Sequence, residues 1–226
     1  MTRVSAIAGH TLWAPVYDGE PNPLLHLERR LMGALLKHLR PSMVIDVACG
    51  TGGWLLHFQH QGSDVFGVDA CEPMLREARR NGARHGRLVL AAAEHLPFRA
   101  PVANLVLCSM ALGYFYDLDR VFQEFSRVCR PGARIAVSDL HPAAITAGWT
   151  RSFKREGHRY EIESRAHSLV EIARAAAAAG LRTNHQMAGR ISGPELPIFK
   201  SAGKEKLFYA VINTPALFLS LWEKPC

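Results

Sequence analysis

The sequence predicts an α/β fold, a mostly parallel sheet with helices on both faces. Two observations predict it. Short apolar runs with strand character alternate with longer stretches whose apolar residues recur at helical spacing, the mark of a parallel sheet covered by helices. The first such run, Val44 to Val47, ends in the turn Ala48-Cys49-Gly50-Thr51-Gly52-Gly53, and a helical pattern follows it. Glycine lets the chain turn sharply and brings backbone close to a ligand. In open α/β sheets, ligands sit at the carboxyl ends of strands, where this turn lies.

Each element follows from local pattern. Leu24, Leu27, Leu31, Leu35 and Leu39 share one face of a helix over 24–39. A strand is expected over 43–47 and a helix over 53–61. A second strand covers 64–69, and a helix runs from Pro73 to Asn81, with proline suited to its first turn. Strands over 88–92 and 104–109 come next. A helix over 117–129 is expected to stop at Pro131-Gly132, and a strand over 133–140 follows. The pattern then shifts, and residues 153–164 read as a hairpin or irregular ribbon. Ser168-Leu-Val-Glu171 is a capping box for a helix ending near Ala179, with Gly180 as its stop. Two last strands are expected, over 181–190 and within 208–222. The sequence holds no internal repeat, low-complexity tract or long linker.

Composition narrows the class. A chain of 226 residues, 48% of them hydrophobic, supports one domain with a real core. With 21% charged residues it is an ordinary globular protein. Lys and Arg number 27 against 20 Asp and Glu, a net charge of +7. The basic residues are scattered, with no run of five. A basic surface is therefore the expectation, and a nucleic-acid partner is disfavoured. The five cysteines (49, 71, 108, 129 and 226) form no Cys-x-x-Cys pair, so neither a zinc knuckle nor a redox pair is indicated. No secretory signal opens the chain, which points to a reducing, cytoplasmic setting. The apolar stretch 207–222 is 16 residues long and holds Asn213 and Pro215, whereas a membrane span needs about 20 apolar residues. It reads as buried strand.

The glycine turn is neither a phosphate loop, which needs Gly-Lys-Ser/Thr, nor a Gly-x-Gly-x-x-Gly dinucleotide fingerprint. It resembles the first motif of class I S-adenosylmethionine (SAM)-dependent methyltransferases, acidic-x-Gly/Ala-x-Gly-x-Gly, which falls on Asp46, Ala48, Gly50 and Gly52. Four further elements follow in that family's order. Gly67-Val-Asp-Ala-Cys-Glu-Pro-Met-Leu75 is similar to its second-strand signature, in which Asp69 would grip the cofactor ribose and Ala70 and Met74 would pack on the adenine. Ala92-Ala-Glu-His-Leu-Pro-Phe98 is similar to Asp-Ala-Glu-x-Leu-Pro-Phe. Here Ala92 replaces the Asp, leaving the Ala93 backbone and the Glu94 side chain for the adenine. Asn104-Leu-Val-Leu-Cys-Ser-Met110 departs from the usual Phe-Asp opening and would set Ser109 and Met110 beside the methionine portion. Phe125-Ser-Arg-Val-Cys-Arg-Pro-Gly132 is similar to a structural marker before the fifth strand. Trp13-Ala-Pro-Val-Tyr-Asp18 is similar to a segment in which a tyrosine, here Tyr17, closes over cofactor and substrate; core packing is the alternative.

The resemblance covers about 13–141 and lies nearest the methyltransferase type 11 group, which includes ubiquinone and menaquinone biosynthesis enzymes. It implies a Rossmann-like, seven-stranded, mostly parallel sheet whose last strand is antiparallel. It also implies a single domain: an N-terminal helical cap (1–40), a cofactor core (41–141), and an acceptor-side hairpin, helix and final strands (142–226). The cofactor would be S-adenosyl-L-methionine, leaving as S-adenosyl-L-homocysteine, and the acceptor a small molecule.

Positioning alone supplies much of a methyl-transfer rate, so a base is optional. The candidate is His141, at the carboxyl end of the fifth strand and with a titration range near neutrality. Asp139 is a second choice. Tyr114 and Tyr116 are candidates for the acceptor pocket. His57 and His60 lack companions for a metal site, and none is expected. Residues 149–160 read as an acceptor lid or a solvated hairpin, and Arg151, Lys154 and Arg155 there would suit an anionic or aromatic acceptor. Two rival functions are an RNA or protein methyltransferase and a SAM-binding protein without transfer activity. The acceptor, the methylated atom type and the oligomeric state are not legible.

Overall fold

The computed structural model describes residues 1–19, 21–84 and 87–226. The chain opens with β1 (Thr2–Val4) and α1 (Ala6–Trp13), which Ser5 caps, and α2 (Pro23–Leu36) follows. Next come β2 (Met43–Val47), α3 (Gly53–His60), β3 (Asp64–Asp69), α4 (Glu72–Arg80) and β4 (Leu88–Leu90). Then β5 (Ala103–Ser109), α5 (Leu118–Val128) and β6 (Cys129–Leu140) complete the alternating part. After α6 (Pro142–Thr146), β7 (Ser152–Arg155) and β8 (His158–Ile162) form a hairpin. The chain ends with α7 (Leu169–Ala178), β9 (Arg182–Gly189), α8 (Leu196–Ser201), α9 (Glu205–Val211) and β10 (Leu217–Glu223).

Seven strands form one sheet in the order β4-β3-β2-β5-β6-β10-β9. The pairings from β4 to β6 are parallel, and β10 runs antiparallel to both its neighbours. The expected Rossmann-like sheet with an antiparallel last strand is present. Its strands are apolar on both sides because helices cover both faces. Successive residues point to opposite faces. Ile45, Val47, Val106 and Cys108 join Phe122, Phe125 and Trp222 in one layer. Val44, Leu105 and Leu107 join Leu27, Met32, Leu55 and Phe58 in the other.

Three departures from the sequence expectation have local causes. α5 ends at Val128, and β6 begins at Cys129 and continues through Pro131-Gly132. Gly132 takes φ +77 and donates its N–H to Lys224 O, so the expected stop is a kink within a strand; the β5–β6 register shifts there. The stretch expected as one strand within 208–222 is helix over α9, then strand from Leu217. Only Phe208 of α9 is buried, an amphipathic face that a strand reading misses. Finally, β1 pairs parallel to β8, making a second sheet, β1-β8-β7, from the two ends of the alternating core.

Candidate active-site cleft

The carboxyl ends of β2, β3 and β5 meet at one edge of the main sheet. Backbone conformation there is unusual. Gly50 has φ +54, and the non-glycine residues Ala48 and Met110 have φ 55 and 58. In a non-glycine residue such an angle costs about 1–3 kcal/mol, and such residues cluster at functional sites. A Cβ added at Gly50 would meet no protein atom within 4 Å. It would project into the cleft that Gly50 lines. Gly52 serves differently. A Cβ there would stand 3.2 Å from the Ala78 Cβ, so this glycine lets α3 and α4 approach, and it lines neither pocket.

Asp69 ends β3 as the hub of this edge. One carboxylate oxygen accepts the Gly50 N–H and the other the Cys71 N–H, each at 2.8 Å. An ionised carboxylate has about four acceptor positions, so it retains capacity for a ligand's hydroxyls. Burial pushes its pKa up. Asp46 is 2% exposed, and burial, reinforced by the charges of Asp69 and Glu28, pushes it up to about 8. Glu28, from α2, accepts Ser109 Oγ and Ser138 Oγ at 2.8 Å and Trp54 Nε1 at 3.1 Å. Burial pushes it up too. None of these three carboxylates has a Lys or Arg ion-pair partner among the described residues. With Asp46 mostly protonated at neutral pH, a cation here would be met by Asp69 and Glu28.

Two adjoining pockets occupy this edge. The larger has about 1140 Å³ of free space, its open mouth included, and shares Tyr17, Leu25, Ala48, Gly50, Ser109 and Met110 with the smaller. Asp69, Ala70, Met74 and Ala93 line the larger one, and Asp46 and Glu28 the smaller. Of the residues expected at a cofactor, Tyr17, Asp46, Ala48, Gly50, Asp69, Ala70, Met74, Ala93, Ser109 and Met110 are thus brought together. Gly52 and Glu94 line neither pocket.

The opposite wall comes from the second sheet and the N-terminal segment. Trp13 stacks on Phe153 with ring centroids 5.0 Å apart and planes 4° apart, and contacts Tyr17 at 4.7 Å. His10 meets Tyr114 edge-on at 4.9 Å. Arg151 donates to Met110 O at 2.7 Å, pairs with the buried Asp139, and lies 4.7 Å over the Tyr114 ring. The other Asp139 oxygen accepts the Gly113 N–H. Asp18 is tied to the glycine turn through Thr51 and Asn81.

His141 lies outside the lining of both pockets. It caps α6, its Nδ1 accepting the Ala143 N–H at 3.1 Å, and burial with nearby Arg190 pushes its pKa down. Sequence reasoning missed His10 and Glu28. Helical periodicity places Glu28 on a leucine-rich helix, and nothing in the pattern shows that its carboxylate is buried. Among the described residues, no group of three or more His, Cys, Asp or Glu is arranged to hold a metal ion, and no helix is long and apolar enough to cross a membrane.

Comparison with known proteins agrees with this geometry. Residues 45–137 match the family model described as a methyltransferase domain, of the type 11 group. The chain is 35% identical over 102 residues to a malonyl-[acyl-carrier protein] O-methyltransferase of Hamiltonella defensa, covering 45% of this chain and 39% of the relative. It is 33% identical over 107 residues to a demethylmenaquinone methyltransferase of Thermus thermophilus, covering 45% and 49%. The chain spans less than half the length of these curated relatives. A SAM-dependent methyltransferase structure from Mesorhizobium loti superposes with a TM-score of 0.69 at 19% identity, over 87% of this chain and 97% of that one. That likeness concerns the fold.

Proposed function

We propose that this chain, which carries a class I SAM-dependent methyltransferase domain of the type 11 group, binds S-adenosyl-L-methionine in the cleft and methylates a small-molecule acceptor. The observation that carries this reading is the buried Asp69 carboxylate. It is held by the Gly50 and Cys71 N–H groups, beside the buried acid Asp46 and the Glu28 carboxyl, which lack Lys or Arg partners among the described residues. The cofactor is a nucleoside with two positive groups, and this arrangement suits it. Gly50, whose missing Cβ leaves the backbone open to the cleft, supports the same reading.

In this reading Asp69 holds the ribose hydroxyls. Ala70 and Met74 pack on the adenine, with the Ala93 backbone at its edge. Asp46, Gly50, Ser109 and Met110 surround the amino-acid end, and Tyr17 covers it. When bound, the cofactor supplies an electrophilic methyl group and leaves as S-adenosyl-L-homocysteine. The chain's own contribution is orientation and exclusion of water. Positioning of this kind can supply about 7–11 kcal/mol of a barrier. His141 lies off the cleft lining, so the cleft walls carry the reaction.

The acceptor faces the aromatic wall of Trp13, Tyr17 and Tyr114. Arg151 lies over the Tyr114 ring with its charge paired to Asp139, which favours an aromatic acceptor there. The whole of 1–226 acts as one domain, and the protein works in the cytoplasm, where Cys49, Cys71, Cys108 and Cys129 stay reduced and buried. The test has two parts. Calorimetry with S-adenosyl-L-homocysteine should show saturable 1:1 binding, and incubation with methyl-labelled cofactor and a metabolite extract should label a small molecule. Absence of binding would refute the cofactor reading. Binding without label in any product would leave a cofactor-binding protein without transfer activity.

A further inference from the structure

We infer that His10 is the general base of this cleft, its Nε2 taking the proton of a phenolic hydroxyl acceptor seated against Trp13, Tyr114 and Arg151. The inference rests on the cofactor reading above and adds the acceptor's chemical class.

Three observations carry it. First, the tautomer is fixed. His10 Nδ1 stands 2.8 Å from the Ala6 carbonyl oxygen, which can only accept, so Nδ1 bears the proton. Nε2, at the opposite edge of the ring, is then an unprotonated acceptor, and it makes no hydrogen bond among the described residues. Second, the ring lines the larger pocket together with Trp13, Tyr114 and Arg151. Third, Arg151 Nε–H is buried with no acceptor among the described residues, although the guanidinium's other nitrogens are engaged by Met110 O and Asp139. A buried donor left unmatched is costly. The guanidinium as a whole lines the pocket, so an oxygen that gains negative charge there develops it beside a cation.

The other groups in the cleft are less suited to take a proton. Asp69 accepts two backbone N–H groups, and Glu28 accepts three side-chain donors. His141 is turned to a helix cap. The groups facing His10 are Asp69 from the end of β3, Tyr114 after β5 and Arg151 before β7. Burial outweighs the Ala6 hydrogen bond and the Asp69 charge and lowers the His10 pKa, which keeps the imidazole in its neutral, proton-accepting form.

The step balances as follows. The acceptor O–H proton passes to His10 Nε2, giving imidazolium. The freed oxygen pair forms the bond to the methyl carbon, and the carbon–sulfur bond breaks with its pair remaining on sulfur. The imidazolium faces Asp69 and returns its proton to water. A carboxylic acid acceptor is already ionised at neutral pH and has no proton to give, so a base here selects for hydroxyl acceptors. The flat aromatic wall selects a phenol among them.

The experiment compares wild type, His10→Gln and His10→Ala on paired hydroxybenzenes and benzoic acids with labelled cofactor. Transfer to phenols over the matched benzoates is expected. Both variants should lose about 100-fold or more in kcat, and the ascending limb of the kcat–pH profile should vanish. S-adenosyl-L-homocysteine affinity should stay within about 3-fold, well under the tenfold that 1.4 kcal/mol would represent. Nitrogen-15 spectra of wild type should show His10 protonated at Nδ1, a reading that needs no variant to fold. Wild-type kcat in the variants, preference for benzoates, no transfer to any phenol, or a proton on Nε2 would each overturn the proposal. Failure of wild type to bind S-adenosyl-L-homocysteine would instead overturn the cofactor reading beneath it.

Discussion

The two walls of the cleft are built on different principles. The floor, at the ends of β2, β3 and β5, is made by consecutive residues and close neighbours in the parallel sheet. The Asp69 side chain accepts the N–H groups of Gly50 and Cys71, both in turns that directly follow the paired strands β2 and β3. The opposite wall is assembled across the chain. Trp13 stacks on Phe153, Arg155 donates to Leu12 O, and Arg151 joins Met110 to Asp139. A floor of this kind is stiff because the sheet dictates it. A wall of this kind depends on a few side chains, and their loss should be felt in stability as well as in function.

The largest expected effect is on that wall. Arg151 is buried with Asp139, and breaking a buried pair by removing one partner typically costs about 3–5 kcal/mol. Arg151→Met should therefore lower the urea midpoint sharply, and adding Asp139→Asn should restore part of the loss. If the single variant unfolds like wild type, the wall is not held as described. On the floor, Asp69→Ala should weaken S-adenosyl-L-homocysteine binding by roughly 1.5–3 kcal/mol, the value of a hydrogen bond to a charged group. An unchanged isotherm would remove Asp69 from the ribose.

The floor should also show a pH signature. Asp46 moves from an ordinary value of 3.8 up to about 8 on folding. An acid whose folded pKa is raised contributes stability that is fully present below the unfolded value and lost as pH rises through the folded one. Unfolding midpoints should thus fall between about pH 4 and pH 8, and Asp46→Asn should flatten that fall while weakening cofactor binding. Equal slopes for the two proteins would count against the buried-acid description. The smallest effect is conformational. Ala48 has φ 55, so Ala48→Gly should relieve backbone strain and raise stability by about 0.4–1 kcal/mol despite glycine's greater freedom in the unfolded chain. A denaturation curve shifted the other way would show that the residue is not strained.

The floor was largely legible in the sequence; of the wall, Trp13, Tyr17, Tyr114 and Arg151 were singled out, but the pairings that assemble them were not. Strands 43–47 and 64–69 stand where apolar pattern and the following turn place them, because short-range chemistry determines both. The Ser168–Glu171 capping box is present for the same reason. β1 is only three residues long and pairs with β8 far along the chain. No periodicity can reveal such a strand. α1 carries His10 in a short run of mixed character, and its functional face is defined by Tyr114 and Arg151, which the fold alone brings near. His141 stood out because it follows a strand end, yet proline at the next position starts a helix and turns the imidazole into its cap.

The placement of β10 has a consequence for how this chain is made. Residues 217–223 lie inside the sheet, between β6 and β9, and Lys224 fastens the end by donating to Ser126 O and Cys129 O. During vectorial synthesis, β6 therefore emerges with an unpaired apolar flank, and β9 has no partner until the segment after it leaves the ribosome. Long-range pairing of this kind is slow and leaves sticky edges open. A deletion of only these seven residues should thus yield an insoluble product.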